Sequence, residues 1–144
     1  MAKPRLLIDS DIIIDLVAKR EHYPSAAELF TLLDDRTVEG CTTPIVLANV
    51  EYVLRKYGGK VEAKKAIQTL LATVTVLTMN QTMARAAADS SFPDFEDAMQ
   101  YYAAEQGKVN FIITRNKTDY SRGTITVLTA EEFLDMHSAI AEAP

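Results

Sequence analysis

The chain has 144 residues, with 15 Lys plus Arg against 20 Asp plus Glu, 48% hydrophobic and 24% charged residues, and only 5 Gly and 5 Pro. This composition excludes collagen-like, coiled-coil and intrinsically disordered chains, and the length suits one compact domain burying roughly 68–70% of its unfolded surface without a disulfide or structural metal. A net charge of −5 argues against holding nucleic acid by charge alone, so any such contact must be local or metal-assisted.

Met1 to Arg5 runs directly into Leu6-Leu7-Ile8 with no apolar signal core, and the stretch that continues to Val17 is cut by Asp9, Asp11 and Asp15. Neither a signal peptide nor a membrane span is expected, and the chain reads as cytoplasmic. A short strand is predicted around Arg5 to Asp9, then a helix from about Asp11 to Ala18 with Ser10 as its N-cap. A second helix covers about Tyr23 to Asp35. Val38 to Thr42 reads as a strand containing the single cysteine, Cys41, a small buried hydrophobe in a reducing compartment. Thr43-Pro44, a cap followed by proline at the first helical position, opens a helix to about Tyr57, which Gly58-Gly59 ends. Lys60 to Ala72 is helical by pattern, Val74 to Leu77 is strand-like, and Asn80 caps a helix to about Asp89. After a break at Ser90 to Pro93, Asp94 to Gln106 forms a helix closed by Gly107, and the strand Asn110 to Thr114 runs into a polar loop, Arg115 to Gly123. A strand near Thr126 to Leu128 and a short helix at Ala130 to Met136 complete a single domain, 1–136, and 137–144 reads as a short fraying tail. Apolar strands alternating with helices predict an α/β fold, a three-layer α/β/α sandwich around a mainly parallel sheet of four or five strands.

Ligands of an open parallel sheet bind beyond the carboxyl ends of its strands, so the polar residues that end strands are the first candidates for chemistry. Asp9 ends one buried strand, with Asp11 and Asp15 just beyond, and Thr114-Arg115-Asn116 ends another, followed by Lys117, Asp119 and Arg122. Asp94-Phe95-Glu96-Asp97 opens a helix between them. Carboxylates in a first helical turn are favoured by the helix dipole without any metal, which is the plain reading of Asp11, Asp94 and Asp97 taken singly. Asp9 differs, because an acid ending a buried strand is costly unless paired or metal-bound. Mg²⁺ and Mn²⁺ take oxygen ligands, often one or two carboxylates with water and substrate phosphate completing the octahedron, and Asp9 with Asp97 can supply those two.

Asp9-Ser10-Asp11-Ile12-Ile13-Ile14-Asp15 resembles the opening of PIN-domain ribonucleases. Asp94-Phe95-Glu96-Asp97-Ala98 is similar to that family's central acidic helix start, and Thr114-Arg115-Asn116-Lys117-Thr118-Asp119-Tyr120 to its Thr-Arg-(Asp or Asn)-x-x-Asp-aromatic loop. With Val127-Leu128-Thr129 to Phe133 these segments stand in order over nearly the whole chain. The resemblance implies a PIN-like sandwich with acids around one or two Mg²⁺ or Mn²⁺ ions, and small members of the VapC type resemble toxins, usually homodimers, held inactive by an antitoxin protein.

Carried over by position, the resemblance implies Asp9 and Asp97 as the metal-binding and catalytic acids, Asn116 at the fourth acidic position, and Asp11, Asp94, Asp119 and Ser10 as their supports. One position departs: the family's usual Glu falls on Asn49, with Glu51 two residues on. Two residues are about 200° apart on a helix, so if Asn49 faces the site, Glu51 faces outward toward Arg55. The reaction implied is metal-dependent hydrolysis of RNA phosphodiesters, with Asn49 and Asn116 orienting water or substrate, Thr114 hydrogen-bonding a carboxylate or phosphate, and Arg115, Lys117 and Arg122 meeting phosphate. Arg55, Lys56, Lys60, Lys64 and Lys65 form either a second RNA contact or a solvated face, and Tyr101 either a base-stacking ring or a core residue. Two alternatives stand beside this: a haloacid-dehalogenase-type phosphatase with Asp9 as nucleophile, and a catalytically weak PIN fold serving as a binding or regulatory module, which Asn49 favours.

Overall fold

A computed structural model describes residues 3–143. Five short strands, β1 (Arg5–Ile8), β2 (Glu39–Thr42), β3 (Val74–Val76), β4 (Phe111–Ile113) and β5 (Thr126–Leu128), pair in the order β3-β2-β1-β4-β5, every pair parallel. The helices are α1 (Ser10–Val17), α2 (Tyr23–Asp34), α3 (Pro44–Leu71), α4 (Gln81–Asp89), α5 (Phe95–Gln106) and α6 (Ala130–Glu142), with a 3₁₀ turn at Lys117–Tyr120. The expected α/β/α sandwich is present, and its sheet is wholly parallel. Among the described residues no helix is long and apolar enough to cross a membrane.

Alternation along the central strands builds two cores, because successive side chains of a strand point to opposite faces. Leu6, Ile8 and Ile113 pack with residues of α1, α2, α3 and α6, including Ile13, Leu29, Val50 and Phe133. Leu7, Cys41 and Ile112 pack with Met83 of α4 and Tyr101 and Ala104 of α5. Full burial of one such aliphatic side chain contributes about 1.5–3 kcal/mol, which is why a sheet covered on both faces reads as nearly continuous apolar runs.

The helix that opens at Pro44 breaks where expected, at Gly58-Gly59: Gly59 has φ +83°, ψ 172°, and α3 is two helical halves between which the chain turns at that residue. Open space surrounds the position a Cβ would take, so the positive φ alone demands glycine. The last helix continues past Met136 to Glu142 and absorbs most of the segment expected to fray, since Ala139, Ile140 and Ala141 are sound helix residues once Thr129 and Glu132 close a capping box at its start. Pro144 lies outside the described residues.

Candidate active site

The strand order changes direction between β1 and β4, and the crevice beyond their carboxyl ends is the binding position of an open α/β sheet. Asp9 leaves β1 at this point. Its backbone N–H still donates to the Ile113 carbonyl at 3.0 Å, so its side chain emerges beside Thr114, the first residue past β4. Asp9 Oδ1 accepts the Ser10 N–H at 2.8 Å, making Asp9, rather than the expected Ser10, the N-cap of α1. Asp9 itself has extended backbone, as an N-cap residue does, whereas Ser10 is already the first helical residue. Asp9 Oδ2 accepts from the Thr114 hydroxyl at 3.0 Å and from the Tyr120 hydroxyl at 3.3 Å.

Thr114 is fully buried and its hydroxyl organises the crevice floor. Its oxygen lies 3.0 Å from Asp9 Oδ2 and 3.3 Å from Asp11 Oδ2, so one proton serves two carboxylates, and it accepts the Asn116 N–H at 3.1 Å. Asp11 also accepts the Arg115 N–H at 3.0 Å. Burial, and next the negative charge of Asp9, push the Asp11 carboxyl up to about 6. Arg115 closes a two-pronged ion pair on buried Asp15, at 3.0 Å from Nε and 3.2 Å from Nη2, and ties the loop after β4 to α1.

A second polar chain runs through the interior. The Thr43 hydroxyl, which also caps α3, donates to Gln100 Oε1 at 2.8 Å, and Gln100 Nε2 donates to the Tyr120 oxygen at 3.3 Å. All three residues are buried. The chain thus links the end of β2, through α5, to the Asp9 carboxylate. Sequence reasoning missed Gln100 as a site residue and took Thr43 only as a cap. The available signal was spacing, because Gln100 stands three residues past Asp97 and therefore on the same helix face.

Asp97 comes to the crevice from α5. Asp94 caps that helix by accepting the Asp97 N–H at 2.9 Å. Burial pushes the Asp97 carboxyl up to about 7, reinforced by the charges of Asp94, Asp119 and Asp9. Asp119 is raised by burial and by Asp9 and Asp94. Four carboxylates from three chain segments therefore repel one another across one crevice. Among the described residues no three acids, histidines or cysteines converge into a ready metal cage. The donor set is nevertheless all oxygen, and a cation would relieve the repulsion, which fits a hard divalent ion held by one or two carboxylates and water.

The expected substrate contacts are redistributed. Thr114 is buried under the carboxylates, Arg115 is bound to Asp15, and Lys117 Nζ lies 2.9 and 3.0 Å from the two oxygens of Glu132 on α6. Arg122 is exposed and has no ion pair among the described residues. Asn116 is exposed at the rim, held through its backbone, while Asn49 is half-buried on α3 with no hydrogen bond to the carboxylates among the described residues. Glu51 pairs outward with Arg55 at 3.3 Å, as its helical offset from Asn49 requires. Tyr101 is buried, its oxygen accepting the Thr124 N–H at 2.8 Å and its ring filling the space a Cβ on Gly123 would take, so it is a core residue and not a base platform.

Sheet order, layers and an acidic crevice at the switch point define a class of three-layer α/β proteins with carboxylates gathered at the strand ends. Residues 5–118 match the sequence profile of the PIN domain. The chain belongs to the PIN domain family. It is 25% identical over 144 residues to Ribonuclease VapC1 of Aquifex aeolicus (strain VF5), covering 94% of this chain and 96% of that one. The fold is shared with a toxin–antitoxin complex from Klebsiella pneumoniae, at 22% identity and TM-score 0.66 over 87% of this chain and 97% of the other. It is shared as well with VapBC2 from Rickettsia felis bound to a promoter DNA fragment, at 15% identity and TM-score 0.64 over 86% and 96%. Membership of this family leaves the phosphatase alternative without support.

Proposed function

We propose that this protein is a Mg²⁺- or Mn²⁺-dependent endoribonuclease, a hydrolase of RNA phosphodiesters and the toxin half of a toxin–antitoxin pair. The observation that supports it most is Asp9, fixed by Ser10, Thr114 and Tyr120 at the switch point of a PIN fold, with Asp97 across the crevice. The named activity of the Aquifex relative and the toxin–antitoxin complexes among the fold's relatives point the same way.

Asp9 and Asp97 are the metal ligands in this reading. When bound, the ion supplies Lewis-acid polarisation of the phosphoryl group and offsets the charge that develops on it. Thr114 and Tyr120 keep Asp9 Oδ2 aimed, Asp94 and Asp119 hold the local potential negative enough to draw a cation in, and Asp11 braces Thr114 and the Arg115 backbone. Asn116 at the rim, with Asn49, orients water or substrate, and Arg122 is the cation of that loop left to meet phosphate. An antitoxin would inhibit by laying a peptide across the crevice and offering an arginine to Asp9 or Asp97, a bidentate pairing that competes with the metal. The toxin itself would be a homodimer, and light scattering that gives a monomer at micromolar concentration overturns that element.

The test is a cleavage time course on a pool of structured and single-stranded RNA, with Mn²⁺, Mg²⁺ or EDTA, comparing wild type with Asp9→Asn and Asp97→Asn. Metal-dependent cutting lost in both variants is expected. A folded wild type that cuts no RNA and binds Mn²⁺ only above millimolar concentration would favour the binding-module alternative, with Asn49 as its cause.

A further inference from the structure

The charge of this chain is unevenly placed. Between Glu51 and Lys65 stand five cations, Arg55, Lys56, Lys60, Lys64 and Lys65, and two carboxylates, Glu51 and Glu62, whereas the remaining residues hold ten cations and eighteen carboxylates. The reversal at Gly59 folds this stretch back on itself, so that Glu51 and Arg55 of the first half of α3 and Lys60, Val61, Lys64 and Ile67 of the second line one groove of about 500 Å³. Arg55 and Lys65 are each paired to a neighbouring glutamate, at 3.3 and 3.5 Å. Lys56 lies over the Tyr52 ring at 4.3 Å, and Lys60 and Lys64 have no ion pair among the described residues. Tyr57, beside the turn, is 75% exposed.

We infer that this helical hairpin is the surface on which the protein holds RNA, a phosphate-binding groove separate from the carboxylate crevice. The inference rests on the ribonuclease reading and adds where the polyanion lies. An acidic protein with an acidic active site repels RNA over most of its surface, and two of the three loop cations expected to meet phosphate, Arg115 and Lys117, are consumed by Asp15 and Glu132, which leaves Arg122 alone there. The hairpin is the segment whose sign is reversed. Lys60 and Lys64 are one helical turn apart, about 5–6 Å between Cβ atoms, a spacing matched to successive phosphates of an extended strand. Tyr57 offers a ring face on which a base stacks without sequence preference.

The test uses the whole protein and a short labelled single-stranded RNA of mixed sequence, with anisotropy titrated in EDTA at several salt concentrations. Wild type should bind with steep salt dependence. The double variant Lys60→Glu/Lys64→Glu should weaken binding about tenfold or more and flatten the log–log salt slope by about 1.4, two phosphate contacts at about 0.7 each on single strands. Arg85→Glu/Lys108→Glu carries the same charge change on exposed residues elsewhere and should stay within about twofold of wild type. Tyr57→Ala should lower affinity about fivefold with the slope unchanged, and an unchanged affinity removes stacking from the proposal. Circular dichroism confirms that each variant is folded. Equal effects of the two double variants, or none from the first, overturn the hairpin site while leaving cleavage by wild type intact. A wild type that neither binds nor cuts RNA overturns the ribonuclease reading along with it. Loss of binding to a Glu-rich peptide, with RNA affinity unchanged, assigns the groove to an acidic protein partner and rejects RNA.

Discussion

Asp9 and Asp97 meet at one crevice but are held in opposite ways. Asp9 receives three hydrogen bonds, from Ser10, Thr114 and Tyr120, the last backed by Gln100 and Thr43. Asp97 sits on the first turn of α5 among charges of its own sign, its carboxyl raised to about 7. One side of the site is preorganised by the protein, and in the proposed reading a cation completes the other. A crevice satisfied on both sides would have little to gain from a metal, and one satisfied on neither would not hold its geometry.

The largest expected effect separates the two acids by what they do without metal. Asp9→Asn and Asp97→Asn should each reduce cleavage by at least about 10²-fold. Metal-free stability should move in opposite directions. Asp9→Asn weakens the acceptor of two buried hydroxyls and lowers Tm, whereas Asp97→Asn removes a repelled charge and raises it at neutral pH. Equal signs from thermal melts in EDTA break the comparison.

Next come the residues that aim Asp9. Thr114→Val and Tyr120→Phe each remove one hydrogen bond to Oδ2, and Tyr120→Phe also leaves Gln100 Nε2 buried without an acceptor. The cost to stability is about 1–3 kcal/mol, read by denaturant unfolding. Mn²⁺ affinity, measured by calorimetry, should fall about 10–100-fold, as when outer partners of metal ligands are lost. A stability change with unaltered metal affinity would reduce this network to a structural role.

A smaller effect is the pH dependence of the metal-free protein. Asp97 has a folded pKa of about 7 against an ordinary 3.8, so the folded state holds a proton that the unfolded state lacks between those values. Its stabilising contribution is complete below 3.8 and lost as pH rises through about 7. Asp11, at about 6, acts in the same direction one unit lower. Melts in EDTA should therefore show Tm rising on acidification from pH 8 to 6, with the rise diminished in Asp97→Asn and suppressed by saturating Mg²⁺.

How much of this was legible in the sequence follows from the range of the interactions. Asp9, Asp97 and the loop after β4 could be found because parallel topology brings strand ends together whatever the detailed packing, and each sits next to a local cap or a strand's end. The ion pairs Arg115–Asp15 and Lys117–Glu132 and the Thr43–Gln100–Tyr120 chain join residues far apart along the chain, and composition alone counts their members as free cations or ordinary polar residues. Gly58-Gly59 marked a break correctly, yet nothing local says whether helices joined by glycine part or fold back. The fold-back depends on Leu54 and Ala63 being buried together in the core, a tertiary fact.

The smallest expected effects bear on α3, where one residue of register decides which side chain faces the crevice. Glu51 is half-buried and paired to Arg55 on the outer side, and such pairs contribute about 0.3–0.5 kcal/mol, so Glu51→Gln should move Tm by no more than about 2 °C and leave Mn²⁺ affinity unchanged. Asn49 points about 200° away from Glu51 around the helix axis. Asn49→Glu should then add a carboxylate on the inner side, lower Tm in EDTA by further repulsion, and tighten Mn²⁺ severalfold. If calorimetry gives Asn49→Glu and Glu51→Gln the same Mn²⁺ affinity as wild type, position 49 lies outside the metal's reach. The crevice is then completed by Asp9 and Asp97 alone, and the asymmetry between them carries the whole of the metal's affinity.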